Sequence, residues 1–242
     1  MLFFKWMSIE NKKILAITLA RGGSKGIKKK NLQKIANKPL IDYTLNEANK
    51  SIFIDRYIVS TDDNEIQNYC INKNVDVPFL RPSYLASDTA SSTDALQHAV
   101  NFCEKYDGKY DIIVELMCTN PFKTSLDIDN CIQMLIDNNA DSVIGVSKVE
   151  EHHPARLKKI IDGKIVDFCV PEESGRRQDL TPHAYIRNGS IYVLNRDYLM
   201  IDNMRFGGDN SFAYLMPYEK SINIDSKYDL IVANSMMHER NA

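Results

Sequence analysis

Cysteine is sparse and unpaired in this chain: five are scattered over 242 residues, at positions 70, 103, 118, 131 and 169, and none forms a CxxC. No disulfide framework is expected, and the thiols read as reduced and structural, in a reducing cytosol. An excess of one charge is missing as well. Lys plus Arg number 30 against 32 Asp plus Glu, a formal net charge of −2, which argues against a nucleic-acid coat or a membrane-surface protein. The opening MLFFKWMSIENKK has no unbroken apolar run, since Lys5 interrupts it, and no small-residue cleavage pattern. Residues 1–12 are therefore expected to be a cytosolic extension, not a signal peptide or a transmembrane span. Internal repeats and low-complexity tracts are absent. What remains, at 44% hydrophobic, is enough to bury the core of one large domain or of one domain with an appendage.

Apolar runs of strand length alternate with helix-like stretches, the pattern of a parallel sheet with crossover helices. Strands are predicted at Ile14–Leu19, Arg56–Ser60, Pro78–Leu80, Asp111–Met117 and Ser142–Ser147. Helices are predicted at Leu40–Ala48, after Pro39, then at Glu65–Asn72, Ser92–Tyr106 and Leu126–Asn138, with a polar turn at Thr61–Asn64. Residues 13–149 thus read as a Rossmann-like, doubly wound α/β unit with a mainly parallel sheet, binding ligands at the carboxyl ends of its strands. After Val149 the pattern changes. Short strands at Lys158–Ile161, Lys164–Phe168 and Ala184–Ile186 suggest a small β-rich arm inserted at 150–189. Residues 190–242 then return to the α/β unit through Ser190–Leu194, Ala213–Met216, Ser221–Ile224 and a Ser-capped helix at Ser226–Arg240.

The segment Leu19–Asn31, LARGGSKGIKKKN, follows the first apolar run and carries five cations with no carboxylate; seven are reached by Lys38. Positive charge placed locally in a neutral chain favours a polyanionic ligand at one site. Gly22 and Gly23 let the backbone pass close to a ligand, adopt positive φ and aim N–H groups at phosphate oxygens. Arg21 offers a planar fork, Lys25 and Lys30 mobile point charges. Neither GxxxxGK[ST] nor GxGxxG is present. A solvated basic loop that binds nothing is the plainer alternative.

ARGGSKGIKKKN resembles the signature loop of the CMP-sialic acid synthetase family, the cytidylyltransferases that activate nonulosonic acids. The resemblance continues in order through IVSTDDNEI (58–66), FLRPSYLASDTASS (79–92), EHHP (151–154), RRQDL (176–180), RNGSIYV (187–193) and NIDSKYDL (223–230). It implies transfer of CMP from CTP to the anomeric hydroxyl of a sialic acid or related nonulosonic acid, with release of pyrophosphate and a requirement for Mg²⁺. It also implies a cytoplasmic homodimer that embraces through the arm beginning at EHHP. By that resemblance Arg21, Gly22, Gly23, Ser24, Lys25 and Lys30 hold the triphosphate, and Asn31 contacts the nucleotide near the α-phosphate. Arg81, Ala90, Ser91 and Ser92 read cytosine and ribose, Asp88 and Ser91 also being plausible helix caps.

Asp225 is the metal ligand in this reading and Asn223 an auxiliary one, a departure from the family's Asp-x-Asp; a helix cap is the alternative for Asp225. Arg21, Lys30 and Asp225 are the expected catalytic groups. The acceptor carboxylate calls for a free cation, so the sugar is assigned to Arg177, Gln178, Arg187, Asn188 and Tyr192, with Arg176 a further candidate. Met117 joins them where relatives have a Gln, and acceptor preference is expected to differ accordingly. His152 and His153 point to opposite faces of an extended chain and suit no metal. Alternatives are a cytidylyltransferase for a 3-deoxy octulosonate or another sugar, a glycosyltransferase of related fold, and a silent nucleotide-binding protein in which Asn223 marks a lost metal site. Asp127-Ile-Asp129, the central acidic pattern, opens a helix and reads as N-terminal charge bias.

Overall fold

The computed structural model describes residues 9–149, 151–172 and 175–240. β1 (Ile14–Leu19) leads into the basic segment, which closes with a single 3₁₀ turn and the small hairpin β2 (Lys34–Ile35) and β3 (Lys38–Pro39). α1 (Leu40–Lys50), β4 (Arg56–Ser60), α2 (Asn64–Asn72), α3 (Ser92–Asp107), β5 (Ile112–Leu116), α4 (Ser125–Asp137) and β6 (Ser142–Lys148) follow. β7 (Lys158–Ile161) and β8 (Lys164–Asp167) pair only with each other. β9 (Tyr185–Asn195), α5 (Arg196–Met200), β10 (Ser211–Leu215) and α6 (Lys227–Arg240) complete the chain.

One six-stranded sheet runs β10-β6-β9-β5-β1-β4. β1 is parallel to β4 and β5, and β10 to β6, while β9 lies antiparallel between β5 and β6. The near-continuous apolar character of β1 has a direct cause: both of its faces are covered. Ile14 and Ala16 pack with Ile41 and Leu45 of α1 and Ile128 and Ile132 of α4 on one side. Leu15 and Ile17 pack with Leu96, Ala99 and Val100 of α3 and Leu199 of α5 on the other. Each such fully buried aliphatic side chain stabilises the fold by about 1.5–3 kcal/mol. A third cluster joins Ile27 in the basic segment to Ile35, Phe122, Ile224 and Ala233 and Met237 of α6, so the loop is tethered to the fold by apolar contact.

The mainly parallel, doubly wound sheet expected from the alternation is what the chain forms. Three local expectations fail. Pro78–Leu80 makes no strand; Asp76 and Leu80 each form a single bridge, to Ile58 and Thr61. Ser221–Ile224 is extended without a ladder, its Ile224 amide donating to the Thr119 carbonyl at 2.8 Å. Ala184–Ile186 and Ser190–Leu194 are not two strands, because β9 runs unbroken across them.

Candidate functional site

β1, β4 and β5 run parallel and end together, and there a cavity of about 350 Å³ opens. Arg21, Ser24, Lys30 and Asn31 from the basic segment line it, with Arg81, Ala90, Ser91 and Ser92 from the run before α3 and Met117 from the end of β5. Gly22, Gly23 and Lys25 stay outside the lining. Neither Gly22 nor Gly23 takes positive φ, contrary to expectation. Gly22 is required for another reason: a Cβ there would lie 2.4 Å from Oδ2 of Asp63, and the Gly22 N–H donates to Oδ1 of Asp62 at 3.0 Å. Gly26, which the motif reading passed over, plays the same part on the other side of the loop, where a Cβ would meet the Asp225 carbonyl at 2.4 Å. These two approaches, with Asn31 Nδ2 donating to the Arg21 carbonyl at 3.1 Å, fix the loop's path.

The expected polar turn Thr61–Asn64 turns out to be a hub. Asp63 caps α2 by accepting from the amides of Glu65 and Ile66. Asp62 holds Gly22 and lies 3.6 Å from Nη2 of Arg81. Arg81 is 5% exposed; burial pulls its pKa below the usual guanidinium value, opposed by Asp62. Its buried Nε has no hydrogen-bond partner. A buried donor facing a cavity and left unmatched costs free energy unless something binds there. Ser91 is the N-cap of α3, accepting from the Thr93 amide at 3.1 Å, so it does the capping foreseen for it.

Carboxylates partner the loop cations. Asp88 lies 2.8 Å from Lys25 and 3.2 Å from Arg21, and Lys25 and then Arg21 hold its carboxyl below the usual range. Lys30 Nζ donates to Asp225 Oδ1 at 2.8 Å and to the Ile224 carbonyl at 2.9 Å. Asp225 also accepts from Asn223 Nδ2 at 2.5 Å. Ser226 caps α6 as expected, its hydroxyl accepting from the Asp229 amide while Asp229 accepts in return from the amides of Asp225 and Ser226, which leaves the Asp225 side chain free of capping duty. Asn223 Oδ1 is buried and without a partner. Among the described residues no cluster of three or more His, Cys, Asp or Glu is poised for a metal. The local donor set is one carboxylate plus one unmatched amide oxygen, which fits a hard cation whose other ligands are phosphate oxygens and water.

Of the residues assigned to the sugar, Met117 alone reaches this cavity. Asn188 is buried below Ser221 and Met216, with Nδ2 at 3.2 Å from the hydroxyl and 3.1 Å from the thioether. Gln178 lines a separate small cavity on the arm with His153, Leu180 and His183. Arg177 opens a 3₁₀ turn, and its side chain lies outside the described residues. Arg187 stacks on Phe206 at 3.7 Å, and Tyr192 lies 4.6 Å beneath the guanidinium of Arg205. Arg205 in turn forms a two-point contact with Glu115, which lines the cavity. Neither Arg205 nor Glu115 was foreseen. Glu115 carried a signal, a lone carboxylate inside the apolar run DIIVELM, which demands a buried partner; Arg205 sits in an irregular segment with none.

His153 is buried, its ring bonded to the Pro182 carbonyl and the Ala155 amide, so it anchors the base of the arm. Asp127 belongs to the capping box of α4 and holds Lys220, and Asp129 holds Ser51, which leaves the acidic pair no nucleotide role.

Residues 15–197 match the family model described as Cytidylyltransferase. The chain is 30% identical over 229 residues to the post-translational flagellin modification protein B of Campylobacter coli, covering 94% of this chain and 96% of that protein. It is 31% identical over 222 residues to an N-acylneuraminate cytidylyltransferase of Streptococcus agalactiae, covering 90% of this chain and 52% of that one; the chain thus spans about half of that relative's length. A pseudaminic acid cytidylyltransferase of Campylobacter jejuni is 28% identical over 218 residues, at 90% and 93% coverage. Among solved structures, a CMP:2-keto-3-deoxy-manno-octonic acid synthetase complexed with CTP superposes with a TM-score of 0.70 over 94% of this chain and 99% of that one, at 17% identity, a likeness of fold.

Proposed function

The chain belongs to the cytidylyltransferase family, and from that premise we propose that it transfers CMP from CTP to the anomeric hydroxyl of a nonulosonic acid, releasing pyrophosphate. The observation that carries this reading is the convergence of Arg21, Ser24, Lys30, Asn31, Arg81 and Ser92 on one cavity at the carboxyl ends of the parallel strands. In-line attack on phosphorus needs little covalent help; it needs positioning and neutralisation of charge. Arg21 and Lys30 bind phosphate oxygens, and Lys25 joins them once Asp88 gives up its cations. Arg81, through its unmatched Nε, hydrogen-bonds the cytosine acceptor atoms, and Ser92 the ribose. Asp225 with Asn223 Oδ1 would hold Mg²⁺, which when bound supplies positive charge to the phosphates. The acceptor approaches from the side of Met117, Tyr192 and Arg187, where Arg187, which has no carboxylate partner among the described residues, meets the acceptor's carboxylate.

The arm supports a homodimer. β7 and β8 expose Ile160 and Ile165, and Phe168, Tyr185 and Ile186 continue the apolar surface. A second copy of the chain covers it in this proposal. The decisive experiment is pyrophosphate release from CTP, with and without Mg²⁺, across N-acetylneuraminate, pseudaminate, legionaminate and a 3-deoxy octulosonate. Turnover with a nonulosonic acid is expected; no turnover with any of the four sinks the proposal.

A further inference from the structure

Lys123 is a buried amine that the proposed transfer leaves unused. It stands immediately before Thr124, the N-cap of α4, and is 2% exposed. Among the described residues no carboxylate pairs with it; its Nζ donates instead to two main-chain carbonyls, those of Met117 and Asn120. Burying an amine without an ion pair is costly, and an apolar side chain of similar length would fill the same space more cheaply. What an apolar side chain could not do is hold two carbonyls, three residues apart, on one donor atom. The turn between β5 and α4 is thereby closed from inside. Cys118 and Thr119, which lie between the two bonded carbonyls, line the cavity.

That turn is the mould for the segment carrying Asn223 and Asp225, which is extended but joins no ladder. The Thr119 carbonyl accepts from the Ile224 amide at 2.8 Å, and Asn120 Nδ2 donates to the Lys220 carbonyl at 2.8 Å, so both ends of residues 220–224 hang on the turn. Asn120 Oδ1 accepts from the Phe122 amide at 3.1 Å, and Phe122 shares an apolar cluster with Ile224. Lys30 takes its place from the same segment, donating to the Ile224 carbonyl and to Asp225 Oδ1. The route is therefore continuous: amine to turn, turn to segment, segment to Lys30 and Asp225. Arg81 and Ser92 stand outside it.

We propose that Lys123 is a positioning residue: by clamping the turn 117–120 it fixes the segment 220–225 and so aligns Lys30 and Asp225 for the transfer. This rests on the CTP-dependent reaction proposed above. The test uses the full chain with Lys123→Met, which keeps the bulk and removes the donors, with Asn120→Ala, which removes the second tie to the segment, and with the two combined. At a temperature where circular dichroism shows each variant folded, kcat is expected to fall about tenfold in each single variant, the scale of a sub-ångström misplacement of reacting groups. The KM for CTP is expected to stay within about threefold, because Arg81 and Ser92 keep their places. The double variant should lose little more than the worse single one, since both act through one turn. Hydrogen–deuterium exchange reads the clamp without turnover: the amides of 221–226 should exchange about tenfold faster in Lys123→Met than in the parent, those of β4 at the parent's rate. A kcat within about twofold of the parent's in folded Lys123→Met, losses that multiply in the double variant, or unchanged exchange over 221–226 overturns the inference, since Lys123 would then merely support the fold. If Lys123→Met does not fold, Asn120→Ala decides by the same two readouts. A parent chain that transfers no CMP overturns the proposed function instead, and the exchange rates still test the clamp.

Discussion

Two cavities of about 350 Å³ lie at opposite ends of the same sheet, and their charges are arranged differently. At the amino ends of the parallel strands Arg196, Lys109, Glu104 and Asp197 are all paired. Arg196 makes a two-point contact with Glu104 at 2.8 and 2.9 Å and reaches Asp197 at 2.8 Å, and Lys109 lies 3.2 Å from the same Asp197. Glu104 further accepts from the Tyr110 amide. At the carboxyl ends the cations outnumber well-seated partners. Asp88 is shared between two cations, its side chain 48% exposed, and that of Asp225 is 66% exposed. Arg81 Nε is buried with nothing to bond. Equal volumes therefore carry opposite meanings: saturated pairs brace a fold, while loosely held, exchangeable ones await an anion.

Three substitutions test that contrast. The largest effect is expected from Arg21→Ala at the open end, where turnover should fall by about 10²–10³-fold, the scale for removing one preorganised charge donor. Its melting temperature should stay near the parent's, because the lost contact to Asp88 is exposed. A melting temperature that drops together with activity would make Arg21 a structural residue.

Arg196→Met, at the saturated end, should do the reverse. Glu104 would be left half-buried without its partner, at a cost of about 2 kcal/mol, or roughly 5 °C in a chain of this size, while kcat and the KM for CTP stay put. Loss of activity without loss of stability would erase the distinction between the two ends.

A third, pH-dependent effect concerns Lys123, which sits behind the floor of the site and is 2% exposed. Its Nζ donates to the carbonyls of Met117 at 2.7 Å and Asn120 at 2.5 Å, and burial pulls its pKa down to about 7. A neutral amine still has the two N–H groups those carbonyls need. Between pH 7 and the ordinary lysine range the unfolded chain holds a proton that the folded one has released, so this group makes stability rise with pH there. Melting temperatures of the parent relative to Lys123→Met should therefore climb from pH 7 to pH 9, and a flat difference would show that Lys123 stays charged in the fold.

Much of the carboxyl-end cavity was legible before the structure. The apolar alternation located β1, β4, β5 and β6, because a strand buried on both faces has no polar positions to obscure it, whereas the half-exposed β9 read as two strands. Arg21 and Lys30 stood out because local charge and glycine placement are properties of one short segment; Arg81 and Ser92 were assigned by the resemblance, and all four line one cavity. The surroundings of the residues assigned to the acceptor were harder to read. They depend on which residues meet across β5, β9 and the irregular stretch around Arg205, and register between distant segments leaves no local trace. Gly22 was expected to take positive φ against a ligand; its need comes instead from Asp63 pressing on it, a contact 41 residues away in sequence.

The antiparallel setting of β9 beside β6 has one more consequence. Lys148 faces Tyr185, and the ladder closes with the Val149 amide donating to the Ala184 carbonyl at 2.9 Å. Topologically the whole arm is the loop of a β-hairpin, entering and leaving the sheet at adjacent positions. Such a loop can lengthen, shorten or be exchanged for a tight turn without rethreading any strand, so the arm is free to diverge while the cavity at the carboxyl ends of the strands keeps its frame.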